Sequence, residues 1–75
     1  MKELVELLAK ALVDHPDQVE VRQVEDDYSI TIELRVASED MGKVIGRQGR
    51  TAKAIRTLVK AAAGSERRRV NVEII

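Results

Sequence analysis

The segment from Tyr28 to Val36 alternates apolar and polar residues without interruption, and it constrains the fold more than any other part of the chain. Such alternation predicts a β-strand with one apolar face, because successive side chains of a strand point to opposite sides. The predicted inward residues are Tyr28, Ile30, Ile32, Leu34 and Val36. A strand of this kind needs a covering layer, so the rest of the chain must supply helices or a second sheet.

A shorter strand is predicted just before it, where Val19 and Val21 alternate with charged residues. The acidic segment 25–27 between the two strands is typical of a turn, so the pair predicts an antiparallel hairpin. Val24 falls out of phase with the two earlier valines, which predicts a bulge or an early end of the first strand.

Two helical segments flank the hairpin. The first runs from Lys2 to Val13 and ends before Pro16, since proline disfavours helical geometry in the residue that precedes it. His15, the only histidine, is predicted to lie in the surface loop that follows. Ser38 is the predicted N-cap of the second, short helix, which extends through Ile45.

A third helix is predicted to begin near Arg50 and to end at Gly64, because glycine commonly terminates helices. The helical spacing of apolar residues predicts a buried stripe on the first and third helices. In the first helix the predicted stripe is Leu4, Leu7, Leu8, Ala11 and Leu12. In the third it is Ala52, Ile55, Leu58, Val59 and Ala62.

A last strand is predicted around Val70, Val72 and Ile74, which completes the order α-β-β-α-α-β. Two helices separate the second strand from the third, so these strands are predicted to be parallel neighbours. The expected fold is a single two-layer α+β domain over residues 1–75. Three helices would cover one face of a three-stranded mixed sheet.

The charges are divided unevenly along the chain, although 13 basic and 13 acidic residues balance overall. Residues 1–40 carry a net charge of −7, and residues 41–75 carry +7. Such asymmetry points to a one-sided nucleic-acid-binding surface, with solvated or pairing faces as the alternative. Tyr28 is the only aromatic residue, so a stacking platform for bases is excluded.

The residue inventory argues against catalysis, metal binding and membrane insertion. The chain has no cysteine, and its one histidine lies far along the sequence from the glycine-rich segment. No phosphate loop of the nucleotide-hydrolase type and no apolar run of membrane-spanning length occurs. We therefore expect a cytoplasmic protein with no cofactor, no small-molecule substrate and no enzymatic activity.

The segment 44–50 is where the sequence concentrates binding chemistry. Gly46 and Gly49 bracket two long polar residues between one predicted helix and the next. The following helix would present free N–H groups and its positive dipole end to phosphate. The predicted contact residues are Lys43, Val44, Ile45, Gly46, Arg47, Gln48, Gly49, Arg50 and Lys53.

The run from Met41 to Arg56 resembles the signature of the type II KH-domain family, in which a Gly-x-x-Gly loop joins two helices. The resemblance covers essentially the whole chain and is strongest for small bacterial proteins that consist of one KH domain. It implies that the loop from Gly46 to Gly49 clamps the backbone of about four nucleotides of single-stranded RNA. Val44, Ile45, Ala52 and Ile55 would form the apolar wall and floor of the groove.

The resemblance also implies partners. It suggests a homodimer, a heteromer with a larger KH-containing protein of the KhpB (Jag) type, and a role as RNA chaperone or post-transcriptional regulator. A protein-interaction subunit for another RNA-binding protein and a single-stranded DNA binder remain as alternatives. Two interpretations remain for Arg67, Arg68 and Arg69: they contact RNA, or they lie in a solvated turn.

Overall fold

The computed structural model describes all residues from Met1 to Ile75 and has the predicted order of elements. Three short 3₁₀ turns lie at Pro16–Gln18, Ser38–Asp40 and Arg47–Gly49. The helices and strands are α1 (Lys2–Leu12), β1 (Glu20–Glu25), β2 (Ser29–Arg35), α2 (Met41–Ile45), α3 (Arg50–Ala63) and β3 (Arg69–Ile74). None of the helices has the length and apolar character that crossing a bilayer requires.

The three strands form one mixed sheet in the order β1-β2-β3, as the sequence predicted. β1 and β2 pair antiparallel with Val21 opposite Leu34, and β2 and β3 pair parallel with Ile32 opposite Val72. The two-layer α+β prediction is therefore confirmed. Ile32 and Leu34 are fully buried at the centre of the sheet, where the helical layer covers them.

The hairpin departs from the sequence expectation at two residues. β1 continues without a bulge to Glu25, and Val24 pairs with Thr31 as an exposed residue of the outer face. Tyr28 does not point inward, since it lies before β2 and is 84% exposed. Asp26 causes this turn, because its carboxylate accepts hydrogen bonds from the amides of Tyr28 and Ser29 at 2.7 Å each.

The predicted helix faces are confirmed only in part: Ala52, Ile55 and Val59 of α3 are buried as expected, and Leu4 and Leu8 of α1 pack against the core half-buried. In α1 the buried residues are Val5 and Ala9, whereas Leu7 is 67% exposed. In α3 the departure is Leu58, which belongs to the predicted stripe but is 49% exposed. Successive residues of a helix point about 100° apart. When the apolar residues cover a wider arc than the surface that the sheet offers, the helix can pack against the sheet in several rotations about its own axis. The rotation that α1 adopts buries Val5 and Ala9 fully and leaves Leu4 and Leu8 half-buried against the core.

The predicted Ser38 cap is wrong, and Asp40 organises the start of α2 instead. The Asp40 side chain is fully buried and accepts hydrogen bonds from the amides of Asp14 (3.2 Å) and His15 (3.0 Å). It also bonds His15 Nδ1 at 3.1 Å, so the imidazole of His15, which lies in the loop after α1 as predicted and is 42% exposed, is held in place. Asp40 thereby ties the loop after α1 to α2.

The bond between His15 and Asp40 raises the pKa of the imidazole above its ordinary value of 6.5. Burial alone would raise the pKa of Asp40. The hydrogen bonds from the Asp14 amide and from His15 outweigh that effect and hold the Asp40 pKa below 3.8. The Asp40 contribution to stability is therefore present above pH 3.8 and is lost as the pH falls through the lowered pKa.

We predict that His15→Gln changes how stability depends on pH. Because its pKa is raised by folding, protonated His15 stabilises the protein fully below pH 6.5, and this is lost as the pH rises through the raised pKa. Urea unfolding of the wild type should show a falling free energy from pH 6.5 upward, which His15→Gln abolishes. Parallel pH profiles of the two proteins would contradict the assignment.

Candidate functional site

The glycine-rich segment forms a compact loop between two helices. α2 ends at Ile45 and α3 begins at Arg50, with Gly46–Gly49 between them. The Gly46 amide donates to the Gly42 carbonyl at 2.9 Å, and the Gly49 amide donates to the Gly46 carbonyl at 3.1 Å. These bonds close the loop through its backbone, and the side chains of Arg47 and Gln48 are exposed.

Gly46 is required both by its backbone conformation and by a close approach. Its φ of 76° and ψ of 172° lie in a region that essentially only glycine adopts. A Cβ at this position would overlap the Thr51 side chain and lie 2.9 Å from the Thr51 amide nitrogen. The loop therefore packs directly on the first turn of α3.

The second half of the loop is left-handed. Gln48 has φ 58° and Gly49 has φ 74°, although no atom lies within 4 Å of a Cβ built on Gly49. Gln48 is the only residue other than glycine with positive φ, a conformation that is uncommon for such residues. Its side-chain oxygen accepts a 3.3 Å hydrogen bond from Arg50 Nη2. This bond joins the loop tip to the first charged residue of α3.

The structure divides the predicted contact residues into two groups. An accessible group surrounds the loop and the start of α3: Ile45, Gly46, Arg47, Gln48, Gly49, Arg50 and Lys53. Val44 does not belong to it, because its side chain is fully buried in the core and offers no apolar wall. Ala52 and Ile55 are core residues as well.

Lys43 is also separated from the loop, because acidic residues hold it. Its ammonium group pairs with the carboxylate of Asp14 and lies 3.7 Å from Asp40. The hydrogen bond to Asp14 raises the pKa of Lys43 above its ordinary value. The lysine therefore fastens α2 to the loop after α1, together with Asp40.

Most basic residues near the loop have no acidic partner. Of the 13 lysines and arginines, four form ion pairs: Lys10, Arg22, Lys43 and Arg68. Seven of the nine others lie on the loop, on α3 or close to the start of β3: Arg47, Arg50, Lys53, Arg56, Lys60, Arg67 and Arg69. Arg56 and Lys60 are not among the contact residues that the sequence predicts, because the sequence alone does not show which surface cations lack acidic partners.

Arg68 differs from its two neighbours because it has a structural role. Its guanidinium pairs with Glu66 and with Glu25, at 3.0 Å each, and so joins the turn after α3 to the hairpin. The hydrogen bonds from Arg68 lower the pKa of Glu66 to about 2, and the pKa of Arg68 rises in turn. Arg67 and Arg69, by contrast, are exposed and unpaired.

Comparison with known proteins gives full-length relatives. The RNA-binding protein KhpA of Caldanaerobacter subterraneus subsp. tengcongensis is 68% identical over 75 residues, which is 100% of both chains. The proteins of the same name from Clostridium acetobutylicum and Clostridium perfringens are each 64% identical, again over 100% of both chains. The sequence profile of the family described as "KhpA/KhpB, KH domain" matches residues 2–74.

Among solved structures, the chain is similar to Era in its complex with MgGDPNP and nucleotides 1506–1542 of 16S ribosomal RNA. The TM-score is 0.65 at 20% identity, and the match covers 99% of this chain and 30% of Era. At this identity the likeness establishes a shared fold.

We predict that Gly46→Ala destabilises the protein, whereas Gly42→Ala does not. Alanine at 46 meets both a glycine-only backbone conformation and the Thr51 side chain, at a cost on the order of 1–3 kcal/mol. Gly42 lies within α2, and a Cβ there meets no atom within 4 Å, so alanine should stabilise slightly. Urea unfolding checks both variants. Equal midpoints for the two would contradict the close-approach argument.

Proposed function

This chain belongs to the KhpA/KhpB family of KH domains, and from that premise we propose that it binds single-stranded RNA through the loop 46–49 and the basic side of α3. The resemblance to small bacterial single-KH proteins, the KhpA type, is thereby confirmed. The observation that carries the proposal is the glycine loop packed on the start of α3, with Arg47, Arg50 and Lys53 exposed and unpaired beside it.

In the proposed mechanism the loop holds the RNA backbone. The Arg50 amide already donates to the Arg47 carbonyl, whereas the amides that follow it in the first turn of α3 lack partners within the helix. They stand at the positive end of the helix dipole, so phosphate oxygens can accept hydrogen bonds from them. Arg47 at the loop tip and Arg50 in the first turn add full charges. The absence of a Cβ at Gly49, where the surroundings are open, lets a sugar–phosphate chain approach the backbone closely.

The apolar wall of this groove is smaller than the sequence implied. Ile45 is 38% exposed at the end of α2 and supplies an aliphatic surface for a base. Val44 is buried and therefore does not contribute to this wall. A few phosphate contacts and one aliphatic residue support micromolar affinity with low sequence selectivity, because backbone contacts position a strand without reading its bases.

The biological setting of the proposal follows from the family. Its members are RNA-binding proteins and not enzymes. We propose a cytoplasmic RNA chaperone or post-transcriptional regulator. Single-stranded DNA binding is the competing nucleic-acid function, and competition between matched RNA and DNA oligonucleotides separates the two.

We further propose that the protein works as a dimer, or as a heteromer with a KhpB-type protein. Leu7 on α1 and Leu58 on α3 project from the helical layer, and apolar side chains of this size favour burial in an interface. Two linked grooves would raise the apparent affinity for a long RNA without a new contact in either groove. Sedimentation analysis tests this proposal, and a monomer at high protein concentration would contradict the homodimer.

We predict that Arg47→Asp combined with Gln48→Asp abolishes binding of a short unstructured RNA while the fold persists. Both side chains are exposed at the loop tip, so reversal of the local charge repels phosphate without disturbing the core. Fluorescence anisotropy measures binding, and circular dichroism measures folding. The wild type should show a salt dependence equivalent to about 2–4 phosphate contacts.

The matched control is Lys2→Asp with Gln18→Asp, which makes a comparable change of charge at two exposed residues outside the loop. It should bind RNA like the wild type. Equal binding by both double variants would mean that the loop is structural. If the wild type itself fails to bind, the interpretation as a protein-interaction subunit takes precedence.

A further inference from the structure

Both ring nitrogens of His15 face a carboxylate. Nδ1 lies 3.1 Å from Oδ2 of Asp40, and Nε2 lies 4.0 Å from Oε2 of Glu39. The two acidic residues are consecutive in the 3₁₀ turn Ser38–Asp40, which leads directly into α2. His15 itself belongs to the loop after α1, so its ring joins two segments that are distant in the chain. We call these three side chains, His15, Glu39 and Asp40, the histidine bridge.

Only the protonated ring can serve both carboxylates of the histidine bridge. A neutral imidazole has a single N–H, and its other nitrogen directs a lone pair outward. With Asp40 on one side and Glu39 on the other, that lone pair would face a carboxylate oxygen. The imidazolium donates from both nitrogens. Because the ring is partly exposed, it exchanges its proton with solvent, and the bridge is complete only while His15 is protonated.

The charged groups around His15 favour its protonated form. Three carboxylates surround it, those of Asp14, Glu39 and Asp40, and Lys43 is the one cation that pairs with this group. The hydrogen bond to Asp40 and the charges of these carboxylates raise the pKa of His15 above 6.5. Loss of the proton leaves Glu39 without a cationic partner and strengthens the repulsion between the carboxylates.

Helix α2 connects the histidine bridge to the glycine loop. Its five residues span about 8 Å, from the turn that carries Asp40 to the start of the loop at Gly46. Val44 is its only buried side chain, and so short a helix does not hold its shape alone. Segments with few buried contacts open locally. Loosening of the turn at one end of α2 therefore displaces the loop at its other end.

We propose that His15 is a positioning residue for RNA binding: as the imidazolium that joins Glu39 and Asp40, it fixes α2 and thereby the loop 46–49 in the arrangement that clamps the RNA backbone. The proposal rests on the proposed RNA binding and adds a dependence on protons to it. RNA bound at the loop favours the closed histidine bridge, whereas the free protein also samples the open one. The affinity for RNA thus falls as His15 loses its proton.

The first test measures the affinity of the wild type for a short oligoadenylate, whose bases stay uncharged in the range used, between about pH 5.5 and 8.5. Fluorescence anisotropy should show binding about fivefold weaker at the upper end, a change at the low end of couplings between sites. Coupling is reciprocal, so NMR titration of the imidazole should show that bound RNA raises the pKa of His15 correspondingly. Circular dichroism verifies the fold at each pH.

Variants separate positioning by the bridge from a general effect of charge. His15→Gln should bind with one affinity at every pH, equal to that of the wild type at the upper end. His15→Arg should bind tightly at every pH, because its guanidinium stays charged and can donate to two carboxylates. Glu39→Gln, at an exposed residue, should reduce the fivefold change. Its matched control is Glu73→Gln, at an exposed carboxylate of β3, which should keep the profile of the wild type.

Two results overturn the role of His15 and leave the loop proposal standing. One is an affinity of the wild type that does not change with pH, or a change that persists in His15→Gln. The other is a full fivefold change in Glu39→Gln, because the charge of His15 would then act on the RNA directly and without the histidine bridge. Failure of the wild type to bind at any pH overturns the proposed function as well.

Discussion

The buried carboxylate of Asp40 is the interaction on which the placement of the site depends. Helix α2 has only five residues, too few to be stable alone, and its N-terminus has no side-chain cap. Asp40 supplies the missing constraint, because it accepts two amides and the imidazole of the loop after α1 while fully buried. Lys43 adds an ion pair between the same two segments. With α2 fixed in this way, the loop that follows it begins at a defined position above the sheet.

From that position the loop geometry follows from steric limits. Gly46 meets Thr51 so closely that a side chain would not fit, and its backbone conformation excludes other residues. Thr51 belongs to the first turn of α3, so the contact fixes the loop relative to the free amides of the helix. Flexible loops lose entropy when they bind, whereas a loop already held in this way loses less. Under the proposed function, the rigidity of the loop would lower the entropy cost of holding a phosphate.

The sequence predicted the elements well and the buried faces of the helices only in part, for one physical reason. The alternation in β2 allows only one face of the strand to point inward, because a shift of its register by one residue would expose Ile30, Ile32 and Leu34 together. The apolar residues of α1 and α3 instead cover more of the helix surface than the sheet can bury, so sequence alone could not exclude Leu7 and Leu58 from the core. The loop was predictable from its two glycines. The role of Asp40 was not, since its partners are 25 and 26 residues away in the chain.

A chain with no net charge can present a surface that attracts a polyanion because the ion pairs are distributed unevenly. Acidic residues of the first half engage Lys43 through Asp14, Arg22 through Glu33, and Arg68 through Glu25. The cations of α3 have no such partners, and their charge stays available. At physiological ionic strength charges act over about 8 Å. A phosphate is therefore attracted by the unpaired cations near it, whatever the net charge of the whole protein. The two ends of α3 are farther apart than this distance, so the cations at one end of the helix act independently of those at the other.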